Sequence, residues 1–157
     1  MRLHVVAVGR MRDTSVRAAC DDYANRIRRY VRLETTEVRA AGRSDRDAER
    51  GRREEGEALL AAVPAGARAV ALTRTGRALA SEELARLVDR WQVEARDVAL
   101  LIGGAHGLAP EVLDRADDRL SLSTLTLPHE LARLVLLEQL YRACTILRGE
   151  PYHKGRP

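Results

Sequence analysis

Hydrophobic and polar positions alternate along the chain between strand-like and helix-like segments. Short β-branched or apolar runs predict strands at 2–9, 33–40, 68–73, 97–102 and 119–127. Apolar residues at helical spacing predict helices at 15–30, from Asp47 to near Val63, at 81–94, 110–116 and 129–147. This order is typical of an α/β fold with a mainly parallel sheet and flanking helices. The sequence predicts that fold in a single domain over residues 1–157.

Local signals predict where these elements begin and end. Thr14 or Ser15 is expected to cap the first helix, and Ser81 the helix that follows the third strand. Residues 74–77 contain a glycine and predict a turn that ends that strand. Pro128 cannot continue a central strand, so it ends the alternating run before it.

Composition narrows the class of protein. The chain is 45% hydrophobic and 32% charged, which fits a soluble globular protein rather than a disordered one. No apolar run reaches the roughly 18 residues of a membrane span, and the N-terminal stretch gains charge too early for a signal peptide. Cys20 and Cys144 offer neither zinc spacing nor a disulfide framework. We therefore expect a cytoplasmic protein with no membrane partner and no metal.

The charge of the chain leaves two explanations open. The net charge is +4, the isoelectric point is near 9.6, and 26 of the 27 basic residues are arginine. A GC-rich genome replaces lysine by arginine without functional meaning. Phosphate recognition also favours arginine, because a guanidinium group makes planar bidentate contacts with phosphate.

Two segments are candidates for a ligand site. The run 101–107 (LIGGAHG) leads a buried strand into glycines, and α/β proteins bind ligands at this edge of the sheet. An ordinary strand-to-helix turn would have the same sequence. The hydroxyl-rich segment 122–127 can offer amides and carbonyls to a purine-like ligand, although alone it reads as a structural turn.

The last helix carries an apolar stripe wider than a surface helix usually has. It is therefore expected to be buried on most sides or shared with a second subunit. His129 and Arg133 share one face at its start, where they are placed to contact an anion or a substrate. Glu138 and Arg142 are also four apart and predict a structural ion pair.

The chain closes on Pro151-Tyr152-His153-Lys154. An aromatic ring, an imidazole and an ammonium group in succession suit stacking on a base and contact with its phosphate. A solvated chain end is the plainer interpretation.

Together these motifs resemble the ribosomal RNA large-subunit methyltransferase H family of the SPOUT class. The resemblance covers essentially the whole chain and is carried by five pieces: LHVVAVGR, Ala71-Leu72-Thr73 before a glycine, LLIGGAHGL, LSLSTLTLPHELARLVLLEQLYRACTIL and EPYHK. Family members often have lysine where this chain has arginine. The last three residues of this chain extend beyond the usual C-terminus of the family.

The resemblance implies transfer of a methyl group from S-adenosylmethionine to N3 of a pseudouridine. The implied target lies in helix 69 of 23S ribosomal RNA in assembled ribosomes. The family is homodimeric and has a C-terminal trefoil knot. The cofactor-binding residues it implies are Leu72, Gly103, Leu122, Ser123, Thr124, Leu125, Thr126 and Leu127.

The mechanism needs a proton acceptor for the imide N3–H, and a neutral imidazole serves near pH 7. His153 is the favoured base and His129 the other candidate, since a tail could close over a flipped base. Arg133, Arg142 and Lys154 would hold phosphate or stabilise the developing negative charge. Arg142, Tyr152 and Lys154 are the expected RNA contacts.

Three alternatives compete with this interpretation. One is a SPOUT methyltransferase with a different RNA target, and a second is a non-catalytic ribosome-binding factor. The third, a nucleotide-dependent oxidoreductase, would need a glycine fingerprint after the first strand, and residues 8–13 do not supply one.

Overall fold

The computed structural model describes residues 1–42 and 45–154, with the side chains of Asp45 and His153 left out. Its five strands are β1 (Arg2–Val8), β2 (Arg32–Val38), β3 (Arg68–Ala78), β4 (Val98–Ile102) and β5 (Asp118–Ser121). Its five α-helices are α1 (Thr14–Ile27), α2 (Ala48–Ala61), α3 (Ser81–Glu94), α4 (Pro110–Arg115) and α5 (His129–Leu147). All strand pairs are parallel, in the order β2-β1-β4-β3-β5. The predicted α/β class with a parallel sheet is confirmed.

The helices cover both faces of the sheet. Successive side chains of β1 point to opposite faces: Val5 packs in the cluster formed with α1, α3 and α5, and Val6 in the cluster with α2 and α4. The central strand β4 is buried along its whole length, as its continuous apolar run predicts. Helix α5 lies against both α1 and α3, which accounts for much of its wide apolar stripe.

The predicted turn at 74–77 is wrong, because β3 continues to Ala78. The strand bulges after Leu72 and then pairs with β5 again, through Arg77 and Leu120. Gly76 permits this close approach: a Cβ there would lie 2.6 Å from the backbone carbon of Leu120. Pairing with a strand more than 40 residues away overrides the local turn signal.

Strand β5 is shorter than predicted and ends at Ser121, so residues 122–127 are not a strand. The two predicted N-caps are also wrong. Asp13 caps α1 by accepting a hydrogen bond from the Val16 amide at 2.9 Å, and Ala80 is the N-cap of α3. Ser81 instead donates a hydrogen bond to Gln139 on α5, which ties the two helices together.

Candidate functional site

A cavity of about 680 Å³ opens at the carboxyl end of β4, beside residues 72–74 in the middle of β3. The segment after β5 and the start of α5 close its other side. It brings together seven of the eight residues that were expected to hold a cofactor: Leu72, Gly103, Leu122, Ser123, Leu125, Thr126 and Leu127. Thr124 does not line it. The sequence signals at the glycine edge and in the hydroxyl-rich segment therefore belong to one site.

The glycine-rich loop after β4 is folded tightly on itself. The Gly107 amide donates to the Gly104 carbonyl at 3.1 Å, and Gly107 has a φ of +76°. A Cβ on Gly103 would lie 2.8 Å from the backbone carbon of Gly107, so no larger residue fits without moving the loop. This leaves backbone, rather than side chains, facing the cavity.

The segment 122–127 is held in place by short polar contacts. The Ser121 hydroxyl donates to the Ser123 carbonyl, and the Ser123 hydroxyl accepts from the Leu125 amide, both at 2.9 Å. Arg74 also donates to the Thr126 hydroxyl at 3.1 Å. Arg74 lies in the segment predicted as a turn, so no local pattern placed it beside this cavity. Leu125, which is 74% exposed, leaves an apolar side chain at the rim.

His129 borders two cavities. It lines the one just described and also a neighbouring cavity of about 290 Å³ beyond the carboxyl ends of β1, β2 and β4. Gly104 and Ala105 line both cavities as well, so the glycine-rich loop separates them. Glu55 of α2 lines the second cavity and was missed, because it lies in an arginine-rich helix that gave no pattern for a site.

Arg133 does not line the first cavity. It is 7% exposed, and its guanidinium donates to Glu37 at 2.7 Å and to the Gly9 carbonyl at 3.0 Å. Burial by itself raises the pKa of Glu37, but hydrogen bonds from Arg133 and the Met11 amide outweigh it and hold that pKa below its usual value. Arg133 thus joins α5 to the ends of β1 and β2.

We expect Glu37→Gln to lower the free energy of unfolding by about 2 kcal/mol at pH 7, because it removes the charged partner of a buried arginine. A carboxyl with a lowered folded-state pKa stabilises the fold above its unfolded pKa, about 4.3, and loses that effect as the pH falls further. Urea unfolding at pH 7 and pH 3.5 measures both effects.

The matched control is Glu34→Gln on the same strand. Glu34 is more than half exposed; it pairs with Arg2, lies 3.5 Å from the His4 imidazole and should contribute under about 1 kcal/mol. Equal losses in the two variants at pH 7 would show that the Glu37–Arg133 pair does not stabilise the fold.

The tail folds back along α5. Tyr152 donates to Glu138 at 3.0 Å, lies 3.1 Å from the Tyr23 hydroxyl, and has the Arg142 guanidinium 5.0 Å from the centre of its ring. The predicted ion pair is confirmed, because Arg142 and Glu138 lie 2.5 Å apart. The expected RNA contacts Arg142 and Tyr152 therefore lie side by side.

A second contact holds the tail against the segment between α1 and β2. The Tyr30 hydroxyl donates to Glu150 at 2.6 Å, and this hydrogen bond is the main reason that the pKa of Tyr30 is raised to about 12. Lys154 is exposed just beyond. The imidazole of His153 lies outside the described residues, so its candidacy as the base stays a prediction.

Over residues 1–42 and 45–154, no helix combines the length and the apolar character needed to cross a lipid bilayer.

Known proteins resemble this chain in sequence and in fold. The model of the family described as predicted SPOUT methyltransferase matches residues 1–153. A protein of Anaeromyxobacter dehalogenans named ribosomal RNA large subunit methyltransferase H is 54% identical, over 98% of this chain and all of its own length. A protein of that name from Pseudomonas aeruginosa is 46% identical over the same shares.

A solved structure from Porphyromonas gingivalis, described as a probable rRNA-methyltransferase, has a similar fold. Its TM-score is 0.54 at 16% identity, covering 94% of this chain and 70% of that one. At this identity the likeness concerns the fold alone.

Proposed function

The chain belongs to the ribosomal RNA large subunit methyltransferase H family of SPOUT methyltransferases, and from this membership we propose that it methylates ribosomal RNA with S-adenosylmethionine. The proposed target is N3 of a pseudouridine in helix 69 of 23S ribosomal RNA, in assembled ribosomes. The observation that carries the proposal is the 680 Å³ cavity, in which seven of the eight residues implied for the cofactor come together.

The residues of this cavity fit S-adenosylmethionine. Its volume suits a ligand of that size, and the tight Gly103–Gly107 loop leaves backbone groups free to approach an adenine edge. Leu72 and Leu122 offer apolar contacts, and the loop 122–127 supplies amides and carbonyls. When bound, the cofactor supplies a methyl group already activated by the sulfonium charge. The chain itself then needs to align the substrate and handle one proton.

We assign proton acceptance to His153, whose imidazole takes the N3 proton as the nitrogen gains the methyl group. His129 lies at the wall between the two cavities and orients the reacting base. Arg133 is engaged with Glu37 and Gly9, which favours an indirect role for it. Arg142, Tyr152 and Lys154 contact the RNA near the tail.

A homodimer explains how the tail reaches the cofactor cavity. Tyr152 is tied to Glu138, nine residues beyond His129, a rise of about 13 Å along α5. The tail of one chain is thus docked away from its own cavity, and we propose that it serves the cavity of a second copy. The exposed Leu131 of α5 is available for such an interface. The trefoil knot and a cytoplasmic location complete the proposal as family expectations.

The test is calorimetric titration with S-adenosylmethionine, followed by methyl transfer to ribosomes from a strain that lacks the modification. We expect one cofactor per chain or per dimer, and one methyl group at N3 of the helix 69 pseudouridine. Methylation of another nucleotide would indicate a different RNA target. Ribosome binding without heat on titration, and without competition by S-adenosylhomocysteine, would indicate a non-catalytic binding factor.

A further inference from the structure

We propose that the second cavity binds the target base and that Glu55 accepts a hydrogen bond from the N1–H of pseudouridine. This inference rests on the proposed function, since it concerns the substrate of the same site. It assigns the selection of pseudouridine over uridine to one side chain, outside the cofactor cavity.

The position of the second cavity points to a ligand. It opens between the carboxyl ends of β1 and β4, which are neighbours in the sheet. The chain leaves β1 for α1 on one face and leaves β4 for α4 on the other. Such a switch point forms a crevice in which open α/β sheets bind their ligands.

The cavity also adjoins the cofactor cavity. The two share Gly104, Ala105 and His129 along their common wall. Direct methyl transfer requires donor and acceptor atoms about 3 Å apart, so the target base must bind next to the cofactor. With a volume of about 290 Å³, the second cavity can hold a single flipped base.

Glu55 supplies the buried polar group of this cavity. It is only 7% exposed, and its Oε1 accepts a hydrogen bond from the Ala41 amide at 2.9 Å. Its Oε2 is buried and has no hydrogen-bond partner among the described residues. A half-satisfied buried carboxylate is costly, and an N–H from a ligand would offset that cost.

Gly104, which also lines the cavity, lies directly against that carboxylate. A Cβ at position 104 would lie 2.9 Å from Oε2 and 3.3 Å from Oε1, so a larger residue would clash with the carboxylate. A small movement of this loop when the ligand enters would uncover the oxygen.

The rim of the cavity has the opposite charge. Arg10 and Arg12 line it and are exposed, so their guanidinium groups are available to a phosphate. A buried hydrogen-bond acceptor below two exposed cations fits a nucleotide whose base carries an N–H donor. Pseudouridine differs from uridine in this respect, because its N1–H stands where uridine has C5–H.

The test compares ribosomes that carry pseudouridine or uridine at the target position, prepared with or without the pseudouridine synthase. For the wild-type protein we expect kcat/KM to favour pseudouridine by at least ~100-fold. In Glu55→Gln the amide oxygen keeps the Ala41 contact and the NH₂ group faces N1–H. Two hydrogen-bond donors then face each other, and no hydrogen bond to N1–H forms. We expect the preference to fall below ~10-fold, with an unchanged Kd for S-adenosylmethionine.

Two further variants distinguish recognition of the N1–H group from general effects on folding or on RNA binding. Glu54→Gln, the neighbouring exposed residue paired with Arg50, should keep the wild-type preference. Arg10→Gln should raise KM for both ribosomes and leave the preference intact. An unchanged preference in folded Glu55→Gln, or no preference in the wild type, would overturn the inference while the methyltransferase proposal stands. Absence of methyl transfer by the wild type would overturn both.

Discussion

Gly103→Val is expected to weaken S-adenosylmethionine binding by at least ~100-fold, equivalent to about 2.7 kcal/mol. A Cβ at this position would lie 2.8 Å from the Gly107 carbon and 2.9 Å from its carbonyl oxygen. Both are backbone atoms of the same tight loop, so they cannot rotate away as a side chain would. The loop must open, and the cavity wall moves with it. Calorimetric titration measures the loss.

Ala61→Val is the control, since it introduces the same valine side chain at an exposed helix position far from the cavity in sequence. It should bind the cofactor as the wild type does. Thermal unfolding identifies any loss of the folded state in either variant. Undiminished affinity in a folded Gly103→Val protein would remove this loop from the cofactor site.

His153→Ala is expected to lower kcat by at least ~100-fold, the usual contribution of a general base, while the Kd for S-adenosylmethionine changes little. Loss of affinity for S-adenosylmethionine is expected instead for His129→Ala, because His129 lines the 680 Å³ cavity that we propose holds the cofactor. Single-turnover methyl transfer and calorimetry separate these effects. Unchanged turnover in His153→Ala would exclude His153 as the general base. If His129→Ala were then inactive but still bound the cofactor, His129 would be the general base.

Mixed dimers test which copy supplies the tail. Equal amounts of Gly103→Val and His153→Ala chains, each inactive alone, would form heterodimers in half of the assemblies. If the tail works on the second copy, one site of each heterodimer is intact, and about a quarter of the wild-type activity returns. No recovery from heterodimers that are shown to form would place the tail over its own cavity.

Elements with strong local signals were predicted closely. Helix α5 runs from His129 to Leu147 as expected, because dense apolar positions lie between Pro128 and the glycine after Arg148. Strand β4 was equally clear, since five consecutive apolar residues end at a glycine pair. In both elements, the residues of the segment itself determine its secondary structure and its bounds.

Errors arose where distant contacts outweighed local ones. Residues 74–77 have turn composition, yet they remain in β3 because Arg77 pairs with Leu120. Ser81 has the right chemistry for a cap, but its hydroxyl donates to Gln139 of another helix. A single sequence does not show whether a residue will make its local contact or a contact with a distant segment.

The candidate site also combines features that the sequence determines with features that depend on the tertiary structure. The sequence by itself determined the α/β class and, through its resemblance to a family, that family and seven lining residues of the 680 Å³ cavity. Only the tertiary structure decided that Arg133 pairs with Glu37, that the tail docks on Glu138, and that Glu55 reaches the loop after β4. The physical reason is that a buried polar atom takes whichever partner the packing of distant segments brings within hydrogen-bond distance.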